Sequence, residues 1–195
     1  MKKLLIIALL SVSSVMAFSQ GSYTSLQYSV GIGTGNMHDF ISPMSWRGFN
    51  IDYRSLVQQN VGVGVDFSWN VFYDEIPYDT YTSGNVDYSG KQYHYSNNFP
   101  MLVAFDYYVD PDADLSTYVG LGIGTMYTIQ NTDMSMYTFE IDAWQFCLRP
   151  EVGINVYASE STSLCLTGKY FYGFKSGDLD AQGYFAIGVG LTLKD

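Results

Sequence analysis

From Thr24 to Thr34 the chain sets Leu26, Tyr28, Val30 and Ile32 on one side of an extended backbone and Ser25, Gln27, Ser29, Gly31 and Gly33 on the other. A period of two is the mark of a strand that separates two unlike surroundings. The alternation returns in about eight stretches. Phe49, Ile51 and Tyr53 oppose Asn50, Asp52 and Arg54; Val61, Val63, Val65, Phe67 and Trp69 oppose Gly62, Gly64, Asp66, Ser68 and Asn70; Met101, Val103, Phe105 and Tyr107 oppose Leu102, Ala104, Asp106 and Tyr108. Later stretches begin near Val119, Trp144 and Leu164, and the last carries Phe185, Ile187, Val189, Leu191 and Leu193 against Tyr184, Ala186, Gly188, Gly190 and Thr192. Strands patterned this way along nearly the whole chain predict an all-β fold, a closed antiparallel up-and-down barrel of about eight strands.

Volume decides which face points outward. A barrel of about eight strands has a bore that side chains just fill, and the apolar face offers four or five large residues on nearly every strand. They would overfill it. The other face is rich in glycine, which suits a narrow lumen and would only weaken strands on a solvated surface. The bulky apolar face is therefore expected to meet lipid, making the barrel a transmembrane one. The small face also carries Asp52, Asp66, Asp106 and Glu151 together with Arg54, Arg149 and Lys169. Enclosed charges are tolerated when they pair, so these seven are expected to form a luminal ion-pair network.

The first residues fit that address. Lys2 and Lys3 precede an apolar run from Leu4 to Leu10, and Ser13, Ser14, Ala17 and Ser19 follow. This is the order of a secretory signal peptide, expected over residues 1–19 with the barrel over 20–195; cleavage after Ala17 is the second choice. Losing the leader, which has no acidic residue, takes the formal net charge from -10 to -12. So acidic a chain is unsuited to nucleic acid, which needs clustered Lys and Arg.

Connectors alternate strictly. Those around Gln58 to Asn60, Pro111 to Ser116 and Ser159 to Thr162 are short, while Gly35 to Ser45, Asp74 to Asn98, Gln130 to Ile141 and Ser176 to Gln182 are mostly longer. Outer-membrane barrels keep short turns and both termini in the periplasm and send longer loops outside. Tyr53, Tyr73, Tyr107 and Tyr127 fall toward strand ends, where interfacial aromatics are expected. The longest loop carries Tyr78, Tyr81, Tyr88, Tyr93 and Tyr95; tyrosine offers rigid contact area with a polar tip, which makes this the candidate surface-recognition loop and a possible outward extension of the strands.

Catalytic and metal-binding patterns do not emerge. His38 and His94 lie on separate loops, and no Ser, His and acid are ordered as a triad. The glycines at Gly31 to Gly35 and Gly120 to Gly124 have no helix or lysine after them and are strand glycines. No cofactor is indicated. Cys147 and Cys165 fall on neighbouring strands of an oxidising compartment, but a turn near Glu160 puts them out of register, and two enclosed free thiols are expected.

The segments Gly48-Phe49-Asn50-Ile51-Asp52-Tyr53, Tyr118-Val119-Gly120-Leu121-Gly122-Ile123-Gly124 and Leu148-Arg149-Pro150-Glu151-Val152-Gly153 resemble the small Gram-negative outer-membrane β-barrel proteins, the OmpX type and the barrel of OmpA. Gly188 to Leu193 is similar to the terminal strand signal of that family, although Lys194 and Asp195 follow and a terminal aromatic is missing. No peptidoglycan-binding domain is expected after the barrel. The resemblance implies outer-membrane lipid and lipopolysaccharide as surroundings, the barrel-assembly machinery as a partner during insertion, extracellular loops and periplasmic termini. A structural, adhesive or recognition role through the loops is the expected function, with no enzymatic activity. The alternatives are a narrow porin-like channel or a lipid-modifying enzyme.

Overall fold

Eight strands follow one another around a ring: β1 (Ser22–Thr34), β2 (Ser45–Gln58), β3 (Val61–Ser83), β4 (Val86–Tyr108), β5 (Leu115–Met134), β6 (Tyr137–Ser159), β7 (Thr162–Gly173) and β8 (Gln182–Lys194). Each pairs antiparallel with its neighbours, and β1 pairs with β8 from Tyr23↔Lys194 to Thr34↔Gly183, which closes the barrel. The computed structural model describes residues 21–195 apart from 84–85, 112 and 135–136, and of residues 79, 81–83 and 86–88 only the backbone. The leader expected over residues 1–19 lies outside the described residues. A helix of one turn, α1 (Asn36–Phe40), sits between β1 and β2.

The two faces fall as the alternation requires. Leu26, Ile51, Val65, Val103, Leu121, Val152, Leu166 and Val189 point out and are exposed, whereas Gln27, Asp52, Asp66, Asp106, Arg149, Glu151, Thr167 and Lys169 point in and are buried. Val103 is 41% exposed and Arg149 0%, the reverse of a water-soluble core. No helix among the described residues is long and apolar enough to span a membrane, so strands must do any crossing.

Aromatic rings mark one border of the apolar band. Trp69, Phe99, Tyr127 and Trp144 follow one another across β3 to β6, with centroids 6.1, 6.5 and 4.8 Å apart. Phe146, Phe174, Tyr172, Tyr170 and Phe185 continue the row at 5.6, 4.9, 6.4 and 4.5 Å. From this row to Tyr107, near the other end of β4, the eight residues of strand, tilted in the wall, give a band roughly 20 Å tall. Rings at both borders suit the amphipathic edge of a bilayer.

The strands do not stop at the aromatic row. β3, β4 and β6 have 23 residues and β5 has 20, against 12 to 14 in the other four. The segments expected as loops from Asp74 to Asn98 and from Gln130 to Ile141 are instead continuous hairpin, paired out to Ser83↔Val86 and Met134↔Tyr137. Tyr73 and Tyr127 consequently stand within strands and not at their ends. The physical reason is composition: Tyr, Thr, Ile and Phe favour a pleated, half-exposed surface, and cross-strand tyrosine contacts such as Tyr73 with Tyr95, centroids 5.0 Å apart, extend the ladder. Of the other two long connectors, Gly35 to Ser45 contains α1 and Ser176 to Gln182 is a loop.

Val103, opposite Val65 and Ile123 at mid-band, tests the inside-outside assignment. Val103→Arg should destabilise the folded barrel in lipid vesicles by about 2–4 kcal/mol in urea titrations, while Asn97→Arg, beyond the aromatic row, should cost under about 1 kcal/mol.

Candidate functional site

Two features remain as candidates, the bore and the sheet that rises above the band. In the bore, strand parity brings the seven predicted charged residues into one cluster. Arg54 on β2 donates through Nε to Asp106 Oδ2 on β4 at 2.5 Å and through NH1 to the Val65 carbonyl at 2.9 Å. Arg149 on β6 reaches across to Asp66 on β3 at 2.5 Å and pairs with Glu151. Lys169 on β7 donates to Asp52 Oδ2 at 2.8 Å and to Asp66 Oδ2 at 3.3 Å. Uncharged groups complete the set: Gln27 donates to Asp52 at 2.9 Å, Tyr118 to Glu151 at 2.8 Å, Ser68 to Asp66 at 3.0 Å, and Asn50 accepts from Lys169 at 2.9 Å. Their inward parity was visible in the sequence; their role as bridges was not.

Apolar layers bound this polar one on both sides. Toward the termini, Tyr23, Leu56, Tyr108 and Tyr118 pack together, with Tyr108 5.3 Å from Tyr23 and 5.1 Å from Tyr118 between centroids. Toward the long-strand end, Phe72, Leu102, Met126, Cys147, Phe171, Tyr184 and Ala186 form a second core inside the barrel, and α1 adds Met37 with Ile41 just after it, both fully buried. Met37 and Ile41 are four apart, the spacing that shares a helix face; that was the available signal in a segment expected to be plain loop. Hydrogen bonds tie this cap to β3, β4 and the β7–β8 connector: the Ser42 hydroxyl and amide donate to Asp74 Oδ2 at 3.3 and 3.4 Å, His94 Nδ1 meets the Phe40 carbonyl at 2.9 Å, and Asn36 Nδ2 donates to the Ala181 carbonyl at 3.1 Å. His94 also stacks on Phe40, centroids 4.4 Å apart. His38 and His94, distant in sequence, thus belong to the same mouth.

Neither cysteine has a partner within reach of a bridge. Both are buried free thiols, with Cys147 opposite Gly173 and Cys165 opposite Asn155.

Above the band, β3 to β6 continue as a four-stranded sheet. β2 leaves β3 at the Arg47↔Val71 pair and β7 leaves β6 at Cys147↔Gly173, so both outer strands of this sheet lose their barrel neighbours. Of the five tyrosines named as a recognition loop, Tyr78, Tyr93 and Tyr95 lie on these strands, Tyr78 68% exposed and Tyr93 6.4 Å from Tyr73. Tyr81 and Tyr88 are paired in backbone register, and their side chains lie outside the described residues. The sheet is acidic in composition: its strands carry Asp74, Glu75, Asp79, Asp87, Asp133, Glu140 and Asp142 and, among Lys and Arg, Lys91. Glu75 binds that lysine, and the hydrogen bond raises the ammonium above its usual range. Among the described residues no group of His, Cys, Asp and Glu is arranged to hold a metal ion.

An apolar exterior, a charged and filled bore and closure by β1 and β8 define the fold of small outer-membrane β-barrels. No protein-family model matches the sequence, and no curated protein matches it significantly. Solved structures do. Ail, the attachment invasion locus protein of Yersinia pestis, aligns with a TM-score of 0.56 at 11% identity over 90% of this chain and 98% of that one. Neisserial surface protein A aligns at 0.55 and 11% identity, over 88% and 96%. The outer membrane protease OmpT of Escherichia coli aligns at 0.52 and 9% identity, over 90% and 96%. The resemblance seen in the sequence is borne out as fold. One barrel shared by an attachment protein, a surface protein and a protease leaves the role to this chain's own residues.

Removing one member of the cross-bore pairs should show how strongly the charges depend on one another. Arg149→Met, which leaves Asp66 and Glu151 with less compensation, should lower stability by about 3–5 kcal/mol in urea unfolding. Adding Asp66→Asn and Glu151→Gln should recover part of the loss.

Proposed function

We propose that the protein is an integral outer-membrane barrel acting as an adhesive or surface-recognition module through the sheet formed by the upper parts of β3 to β6. In this reading the termini and short turns lie in the periplasm, the sheet stands outside the cell, the apolar band rests in lipid beside lipopolysaccharide, and the barrel-assembly machinery inserts the chain. The carrying observation is the division of length: about half of each long strand exceeds what the roughly 10 residues of a membrane crossing require. Extra ordered strand with exposed tyrosines is a contact surface, and rigid elements present such a surface better than mobile loops. That a protein named for attachment, Ail, shares the fold is consistent with this use.

The channel alternative is opposed by the two apolar layers that bracket the ion pairs, since a conducting path would have to pass Tyr108 and Tyr118 at one end and Met37, Ile41 and Phe72 at the other. Among the described residues no arrangement favours the lipid-modifying alternative.

Tyr73 pairs with Tyr95, and Ile129 with Asp142. Joining each pair by an Asn-Gly turn removes the raised sheet and leaves the barrel. Bacteria displaying this shortened form should lose attachment to protein-coated surfaces relative to the full chain, while heat-modifiable mobility on gels persists. Equal attachment by both forms would refute the reading. In planar bilayers the full chain should give no reproducible single-channel steps.

A further inference from the structure

The raised sheet has two outer strands, and they are not equivalent. On β3 the edge beyond Val71 carries Pro77 and a register shift between Ile76 and Asp79, and Ser42 from the α1 connector hydrogen-bonds to Asp74 beside it. Proline, irregularity and a covering loop are the usual devices that stop an edge from recruiting another strand. On β6 the segment from Tyr137 to Ala143 has no proline, no glycine and no break in its pairing with β5. The Phe146 carbonyl, bonded to the Phe174 amide at 2.9 Å, fixes which residues aim their backbone away from β5. Alternation then gives Thr138, Glu140 and Asp142 the same direction, and among the described residues no strand lies beyond them.

The side chains of this edge sort by chemistry as well. Tyr137, Phe139 and Ile141 occupy one face and are 56%, 56% and 45% exposed. Thr138, Glu140 and Asp142 occupy the other, next to Asp133 on β5. Resting on the surface-recognition reading, we infer that the β6 edge binds an extended polypeptide segment in which basic residues alternate with apolar ones. Such a segment adds a ninth strand. Its basic side chains meet Glu140 and Asp142, and its apolar side chains cover Phe139 and Ile141. A second copy of this chain fits poorly, because antiparallel self-pairing brings the acids of both copies onto one face.

The test uses the full chain refolded in detergent and a capped, fluorescent heptapeptide of alternating lysine and valine, followed by anisotropy. Saturable binding is expected, with none for the glutamate and valine counterpart. Glu140→Pro removes an amide hydrogen that points away from β5, so the barrel keeps its heat-modifiable mobility while peptide affinity falls about tenfold or more. Glu140→Lys with Asp142→Lys should switch preference to the glutamate peptide, a readout independent of proline's effect on the strand. Absence of saturable binding overturns the proposal, as does unchanged affinity in Glu140→Pro. Self-association in sedimentation equilibrium that Glu140→Pro abolishes would overturn it by assigning the edge to a second copy. Any of these results, with attachment still lost on shortening the hairpins, removes the β6 edge and leaves the recognition reading in place.

Discussion

Closure by β1 and β8 is the condition on which the rest of the structure depends. Hydrocarbon supplies no hydrogen-bond partner, so every amide and carbonyl in the band must find one in a neighbouring strand. The unbroken register from Tyr23↔Lys194 to Thr34↔Gly183 does this at the one place where the sheet would otherwise have edges. It also fixes the bore. Eight strands enclose a space that side chains fill, and this sets how much bulk the inner face can carry. Gly153 shows the limit: a Cβ there would lie 2.3 Å from ring atoms of Tyr118.

Inside that space, polarity is layered. Charges and amides occupy the middle, with tyrosines toward the termini and an apolar core toward α1. The middle layer gains its stability from mutual compensation: Asp66 and Glu151 each lie within 4.0 Å of Arg54, Arg149 and Lys169. Excluding water strengthens each of these contacts and makes any unpaired member costly. Sealing and pairing thus support each other, and a filled bore shifts the burden of function to the outside.

Much of the barrel was legible in the sequence because its signal is local. Parity along one strand suffices to place Asp52 inward and Ile51 outward, and the glycine-rich face announced a narrow lumen. The raised sheet was less visible. Between Asp74 and Asn98 polar residues appear at either parity, and the contrast that betrays a strand fades; only the pairing of Tyr73 with Tyr95 and its neighbours fixes the conformation. The cap was missed for a different reason. Met37 and Ile41 are buried by Phe72 and Tyr184, residues remote in sequence, and one pair at a spacing of four is too short a pattern to set a helical turn apart from a loop. In the bore, the charged residues could be named, whereas the bridging by Gln27, Asn50 and Tyr118 depends on distances across the barrel.

Several of the luminal ion pairs join strands that are not neighbours. Lys169 on β7 holds Asp52 on β2, and Arg149 on β6 holds Asp66 on β3. A single hairpin entering the bilayer would therefore bring charges whose counter-ions are still elsewhere on the chain. Stepwise insertion is disfavoured on electrostatic grounds, and the polypeptide has to round up before its interior parts from water. Assembly in the membrane is then cooperative, because Asp52 on β2 lacks its Lys169 partner until β7 is in place.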